Sequence, residues 1–205
     1  MISTVAIVCG YLLGSIPSGY IAARLKKGID IRDVGTRVIG ALNVYYEVGH
    51  AAGVLVLLAD IGKGVAAVLL ARWLGVDLIF QLLAGFAAVL GHIFPVFLKF
   101  RGGRGGATSI GVLLCLLPEA IPFWLAICGV VLLITRNLTV CYSMGFVCFP
   151  VVAGLIYGSV ALVVFSVGLP IFLGIRFIPR LKEMHSVTDG SWRRVVFRSS
   201  INERF

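Results

Sequence analysis

The chain has 205 residues, 60% hydrophobic and only 13% charged, with a mean hydropathy of +1.05; soluble domains carry roughly 45–50% apolar residues, so an ordinary water-soluble domain is excluded. The apolar residues form blocks near the ~20 residues that cross a bilayer, too long and too continuous for barrel strands, which predicts an all-α polytopic integral membrane protein. The net charge of +9 calls for no nucleic acid, because cytoplasmic loops of membrane proteins are basic by the logic of insertion.

The first block covers 3–23, with no Lys or Arg before Arg24 and no cleavage site in Gly14-Ser15-Ile16-Pro17-Ser18-Gly19. It is expected to remain as a helix rather than be removed as a signal peptide. The connection that follows, Gly35-Thr36-Arg37-Val38-Ile39-Gly40-Ala41-Leu42-Asn43, is punctuated by glycine and brings a hydroxyl, a guanidinium and an amide to the membrane surface. The second block, 51–71, holds Asp60 and Lys63. Three residues apart on a helix they share a face, and in hydrocarbon an unpaired charge costs at least ~2.5–3.5 kcal/mol, so they must pair or line a polar cavity.

The third block, 78–98, runs into the most specific stretch of the chain, Gly91-His92-Ile93-Phe94-Pro95-Val96-Phe97-Leu98-Lys99-Phe100-Arg101-Gly102-Gly103-Arg104-Gly105-Gly106-Ala107-Thr108. Gly102, Gly103, Gly105 and Gly106 let backbone N–H groups turn inward, the next helix adds its positive N-terminus, and Arg101 and Arg104 complete a candidate anion cradle. The spacing is neither a Walker A loop nor GxGxxG. His92 has no His, Cys or carboxylate near it in sequence and reads as a core histidine, as do His50 and His185.

The fourth block, 106–117, is too short to cross fully and meets the fifth, 120–135, at Pro118-Glu119, so the two can also form one bent hairpin. Arg136-Asn137-Leu138-Thr139 precedes the sixth block, 138–156, and the seventh covers 159–176. Arg136 suits topology as well as function. Cys9, Cys115, Cys128, Cys141 and Cys148 all lie inside apolar blocks without a CxxC spacing and read as small hydrophobes, so neither a metal nor another cofactor is expected.

Basic residues cluster in alternate connections: Arg24, Lys26, Lys27, Arg32 and Arg37, then Lys99, Arg101 and Arg104, then Arg136, then the tail from Arg176 onward. The positive-inside rule turns this into about seven crossings with the N-terminus outside and the C-terminus cytoplasmic. Residues 1–182 then form the membrane domain and 183–205 a basic tail. Trp73 and Trp124 fall near outer helix ends, where belt aromatics belong.

Taken in order, Tyr11-Leu12-Leu13-Gly14-Ser15-Ile16-Pro17-Ser18-Gly19, Asp60-Ile61-Gly62-Lys63-Gly64 and the 91–108 stretch resemble the bacterial acyl-phosphate:glycerol-3-phosphate acyltransferases, over about residues 8–182. The resemblance implies a multi-pass enzyme of phospholipid synthesis in the bacterial cell membrane, its active site facing the cytoplasm. It moves a fatty acyl group from acyl phosphate to the 1-hydroxyl of glycerol 3-phosphate, giving lysophosphatidic acid and phosphate. For that reaction the glycine loop with Arg104 is expected to hold the acyl phosphate, Lys63, Arg101 and Arg136 to neutralise the acceptor phosphate, and Thr36 and Asn43 to orient the hydroxyl, with Thr108 and Thr139 among the substrate-binding residues and Asp60 and His92 as support. The partners implied are the two substrates, membrane lipid and a soluble enzyme that makes acyl phosphate.

The chain departs from the family pattern at polar positions. Arg37, Val38, Leu42 and Tyr46 replace Gly, Asn, Thr and Arg of the first motif, Arg104 stands for Lys, Thr139 for Ser, and Phe177 and Arg180 for His and Asn. Two other classes therefore compete: a catalytically degenerate relative that keeps the cradle as a lipid- or partner-binding module, which robust turnover dismisses, and a small transporter using Asp60 and Lys63 as an ion site, which proteoliposome flux would reveal.

Overall fold

The computed structural model describes residues 1–198. Every regular element among them is helical, and the chain divides into two compact units, 1–116 and 117–205. Among the described residues six helical stretches are long and apolar enough to cross a membrane: Ile2–Lys27, His50–Trp73, Leu78–Leu98, Pro118–Thr135, Leu138–Leu155 and Val160–Val187. The expected block 106–117 forms a shorter apolar helix, Gly106–Leu116.

In the first unit, α1 (Ile2–Ser15) and α2 (Ser18–Lys27) divide what the sequence reads as one block. Pro17 has no N–H to donate, so the ladder breaks at Ile16-Pro17. α3 (Ala41–Glu47) follows the first connection, then α4 (His50–Trp73), α5 (Leu78–Ile93) and α6 (Gly106–Leu116). α1 packs on α5 and α4, and α4 on α6.

The packing is that of a lipid-embedded helix. On α4 the buried face is mostly small or polar, Ala52, Gly53, Asp60, Lys63, Gly64, Ala67 and Ala71 beside Val56 and Val68, whereas Val54, Leu55, Leu58 and Leu69 are exposed. Lipid gives apolar side chains no reason to turn inward, so helices associate through small residues that let backbones approach. α1 and α5 meet in the same way: a methyl group on Gly10 or Gly14 would run into the backbone of Ala84 or Ala88. A compact apolar cluster of Ile31, Ile39, Val44, Val48, Ala52, Val56 and Leu98 anchors the first connection to α4 and to the end of the α5 segment.

In the second unit, α7 (Ile121–Thr135) is followed by α8 (Leu138–Gly145) and α9 (Cys148–Leu155), which split the expected 138–156 block. At the split Phe146 and Val147 donate to Ser143 and Met144, three residues back, and Pro150 brings no N–H to the next turn. α10 (Val160–Val187) continues as helix eleven residues past the expected end at 176, through Pro170 and Pro179, because its last turns are charged and need only leave the hydrocarbon, not unfold. The i,i+3 pair Arg180–Glu183 at 2.6 Å lies on that extension. α11 (Trp192–Val196) lies in the tail.

Candidate functional site

The break at Pro17 organises the polar centre of the first unit. It frees the Ile16 carbonyl, which accepts a hydrogen bond from Lys63 Nζ at 3.0 Å, and starts α2 at Ser18, whose Oγ donates to Asp60 Oδ1 at 2.5 Å. Asp60 Oδ1 also lies 3.0 Å from Lys63 Nζ and 3.5 Å from His92 Nδ1. The last is a close approach rather than a formed hydrogen bond, since Nδ1 has no hydrogen-bond partner among the described residues. Asp60, Lys63 and His92 are 1%, 7% and 3% exposed, so the cluster is sealed and its charges must satisfy one another.

Its other side is the glycine loop. Gly103 N–H donates to the His92 carbonyl at 2.9 Å. A side chain on Gly103 would strike His92 Nε2, and one on Gly102 would strike the carbonyls of His92 and Ile93. The histidine ring therefore stands between Asp60 and the loop backbone. Lys99 (φ 53°), Phe100 (φ 62°) and Gly105 (φ 85°) take left-handed conformations that reverse the chain, held by Phe100 N–H to Pro95 O at 3.0 Å. α6 then begins, and Gly64 and Gly111 bring α4 and α6 to backbone contact, Gly64 against the Thr108 carbonyl and Gly111 against the Ile61 carbonyl. The Thr108 and Ser109 hydroxyls are fully buried and lack partners among the described residues, polar capacity that folding has not used. Arg101 is exposed and Arg104 half-buried.

The first connection is organised by Asn43, which is 3% exposed. Its Nδ2 donates to the carbonyls of Ile31, Val34 and Val38 at 3.0, 3.1 and 3.0 Å, and its Oδ1 accepts from Thr36 N–H at 2.9 Å. The amide expected to orient a substrate hydroxyl is thus spent on shaping the loop, and Thr36 is left exposed at its tip. Arg32 ties this connection to the next: its Nη1 reaches the Leu98 carbonyl at 3.4 Å, and its Nη2 pairs with Asp30 at 2.7 Å. The hydrogen bonds from Arg32 hold the Asp30 carboxyl down at about 2, below its usual range.

In the second unit, Arg136 (φ 52°) ends α7 in the left-handed region, and Asn137 caps α8 by accepting from Thr139 and Val140 N–H. Thr139 is half-buried and Arg136 exposed. The structure thus gathers Asp60, Lys63, His92, the glycine loop and Thr108 in one unit, with Thr36 and Asn43 on an adjoining connection, and carries Arg136 and Thr139 on the other unit. Sequence reading missed Ser18 and the Ile16 carbonyl. Their signal was Ser-Ile-Pro-Ser inside an apolar block, where a proline must leave a carbonyl for something else to satisfy.

The sequence model of the glycerol-3-phosphate acyltransferase family matches residues 4–186. Glycerol-3-phosphate acyltransferase 2 of Dehalococcoides mccartyi is 44% identical over 201 residues, spanning 98% of this chain and 96% of the relative. A glycerol-3-phosphate acyltransferase of Bacillus subtilis is 46% identical over 136 residues, 66% of this chain and 70% of its own. Among solved structures, the glycerol 3-phosphate form of PlsY (YgiH), an integral membrane glycerol 3-phosphate acyltransferase, superposes with a TM-score of 0.82 at 28% identity, covering 99% of this chain and 95% of that one.

Proposed function

Because the chain belongs to the glycerol-3-phosphate acyltransferase family, we propose that it is a membrane enzyme of phospholipid synthesis that transfers a fatty acyl group from acyl phosphate to the 1-hydroxyl of glycerol 3-phosphate. The observation that carries this reading is the end-to-end likeness to a PlsY in its glycerol 3-phosphate form. The hydroxyl oxygen attacks the acyl carbonyl carbon, the bond from that carbon to the phosphate oxygen breaks, and inorganic phosphate leaves. The hydroxyl proton passes to a phosphate oxygen of the substrates, since an acyl phosphate is already activated and needs no strong protein base.

What remains for the protein is to hold two phosphates together, screen their repulsion and align the hydroxyl. The glycine loop with Arg104 holds the donor phosphate, its backbone fixed by the bond from Gly103 N–H to the His92 carbonyl on one side and by the start of α6 on the other. Arg136 neutralises the acceptor phosphate, with Thr139 close to it in sequence, and Arg101 adds positive charge beside the glycine loop. Lys63 is held first by Asp60 and Ile16, so its charge supports the site from behind. Thr36 is the exposed hydroxyl of the first connection, and Asn43 acts through the loop it shapes. The basic connections support a site at the cytoplasmic face of a bacterial membrane, where a soluble acyl-phosphate-producing enzyme can deliver the donor.

Purified protein given acyl phosphate and glycerol 3-phosphate should release lysophosphatidic acid and phosphate, and should not do so with acyl-CoA as donor. The double variant Gly103→Val/Arg104→Ala should lose at least about a hundredfold in turnover. Retained activity in that variant would sink the loop assignment, and turnover with acyl-CoA alone would sink the donor.

A further inference from the structure

The tail closes back on the turn that carries Arg136. Asn137 is 1% exposed, and its Nδ2 donates to the carbonyls of Val195 and Val196 at 2.9 and 3.3 Å. Arg198 N–H donates to the Thr135 carbonyl at 2.9 Å. The residues immediately before and after Arg136 are therefore tied to one short stretch of tail, while Val195 is itself buried at 3%. Between the two ties Arg136 sits at φ 52°, a conformation that an L-residue adopts only at a cost of roughly 1–2 kcal/mol. The match to the family's sequence model ends at 186, so the clasp is built from residues beyond it.

We propose that residues 195–198 are a clasp that positions Arg136 for the acceptor phosphate, which makes the tail a working part of the acceptor site. This rests on the reading of Arg136 as a ligand of the glycerol 3-phosphate phosphate. A guanidinium recognises a phosphate through a fixed planar fork, so its value depends on where the backbone holds it. Asn137 performs two separable tasks: Oδ1 caps α8, and Nδ2 holds the tail.

Asn137→Asp keeps an acceptor for the cap and removes the donor, and a chain ending at Arg194 removes the other half of the clasp while leaving Asn137 intact. In the membrane-embedded enzyme each change should raise KM for glycerol 3-phosphate about tenfold, the size of one lost charge-positioning contact. It should leave kcat within about twofold and KM for acyl phosphate unchanged. In an Arg136→Ala background neither change should add anything. An unchanged acceptor KM in both variants, an equal effect in the Arg136→Ala background, or complete inactivity of Asn137→Asp despite its intact cap overturns the clasp. If Arg136→Ala alone leaves the acceptor KM unchanged, the reading of Arg136 as a phosphate ligand fails, and the clasp fails with it.

Discussion

Asp60 stands where the side chains of Ser18, Lys63 and His92 converge, and its value lies in the charge it balances. Lys63 is 7% exposed and meets Asp60 at 3.0 Å. Removing one partner of a buried pair leaves the other uncompensated, at a cost of about 3–5 kcal/mol, whereas removing both can be close to neutral. Asp60→Ala should therefore lower the melting temperature in detergent sharply, and Asp60→Ala/Lys63→Met should recover most of the loss. Equal melting of the single and double variants would show that the pair does not carry the coupling. At the neighbouring connection, Asn43 uses an amide to close a loop that lacks regular hydrogen bonding, because its four backbone partners have no ladder to join.

At the scale of elements, the glycine loop depends on how closely α4 and α6 approach. Gly64 faces the Thr108 carbonyl with no room for a side chain, and Thr108 lies in the first turn of the helix that completes the candidate cradle. Gly64→Val must push backbone away from backbone, an overpacking cost of about 1–3 kcal/mol. It should reduce turnover while glycerol 3-phosphate still binds, because α6 moves with the glycine loop. Gly62→Val, at a position where a side chain meets nothing within 4 Å, is the control. Turnover measured in both variants decides the point: equal activity would remove the close approach from the explanation. The same logic of satisfied backbone explains the broken helices: at Pro17 the freed Ile16 carbonyl found Lys63, and at 146–147 shorter-range turns took up the slack.

At the scale of the whole molecule, the alternation of basic connections predicts that the first connection faces the cytoplasm and the α4–α5 connection faces the opposite side. Arg37 and Asp77 are exposed on these two connections. A cysteine introduced by Arg37→Cys should react with a membrane-impermeant maleimide only in inverted vesicles, and one introduced by Asp77→Cys only in right-side-out vesicles. Labelling of both from one side would overturn the topology. Phosphorylated substrates are water-soluble and the acyl chain is not, so an acyl transfer between them belongs at such a surface.

The amino-acid sequence by itself determines the helical membrane class, the glycine loop and the Asp60–Lys63 pair, because long apolar blocks, a glycine cluster and a charge in hydrocarbon are local signals with few physical explanations. The i,i+3 spacing even names Lys63 as a partner of Asp60. Tertiary structure alone decides the rest. His92 reads as an isolated core histidine along the chain, and only the packing of α5 against α1 and α4 brings it between Asp60 and Gly103. Asn43 looks like a free amide until its loop closes around it. The tail looks like a solvated basic segment, and its backbone contacts with Asn137 span 58 residues. A sequence shows which groups must find partners, but which partner answers depends on contacts between residues far apart in the chain, and no local pattern encodes them.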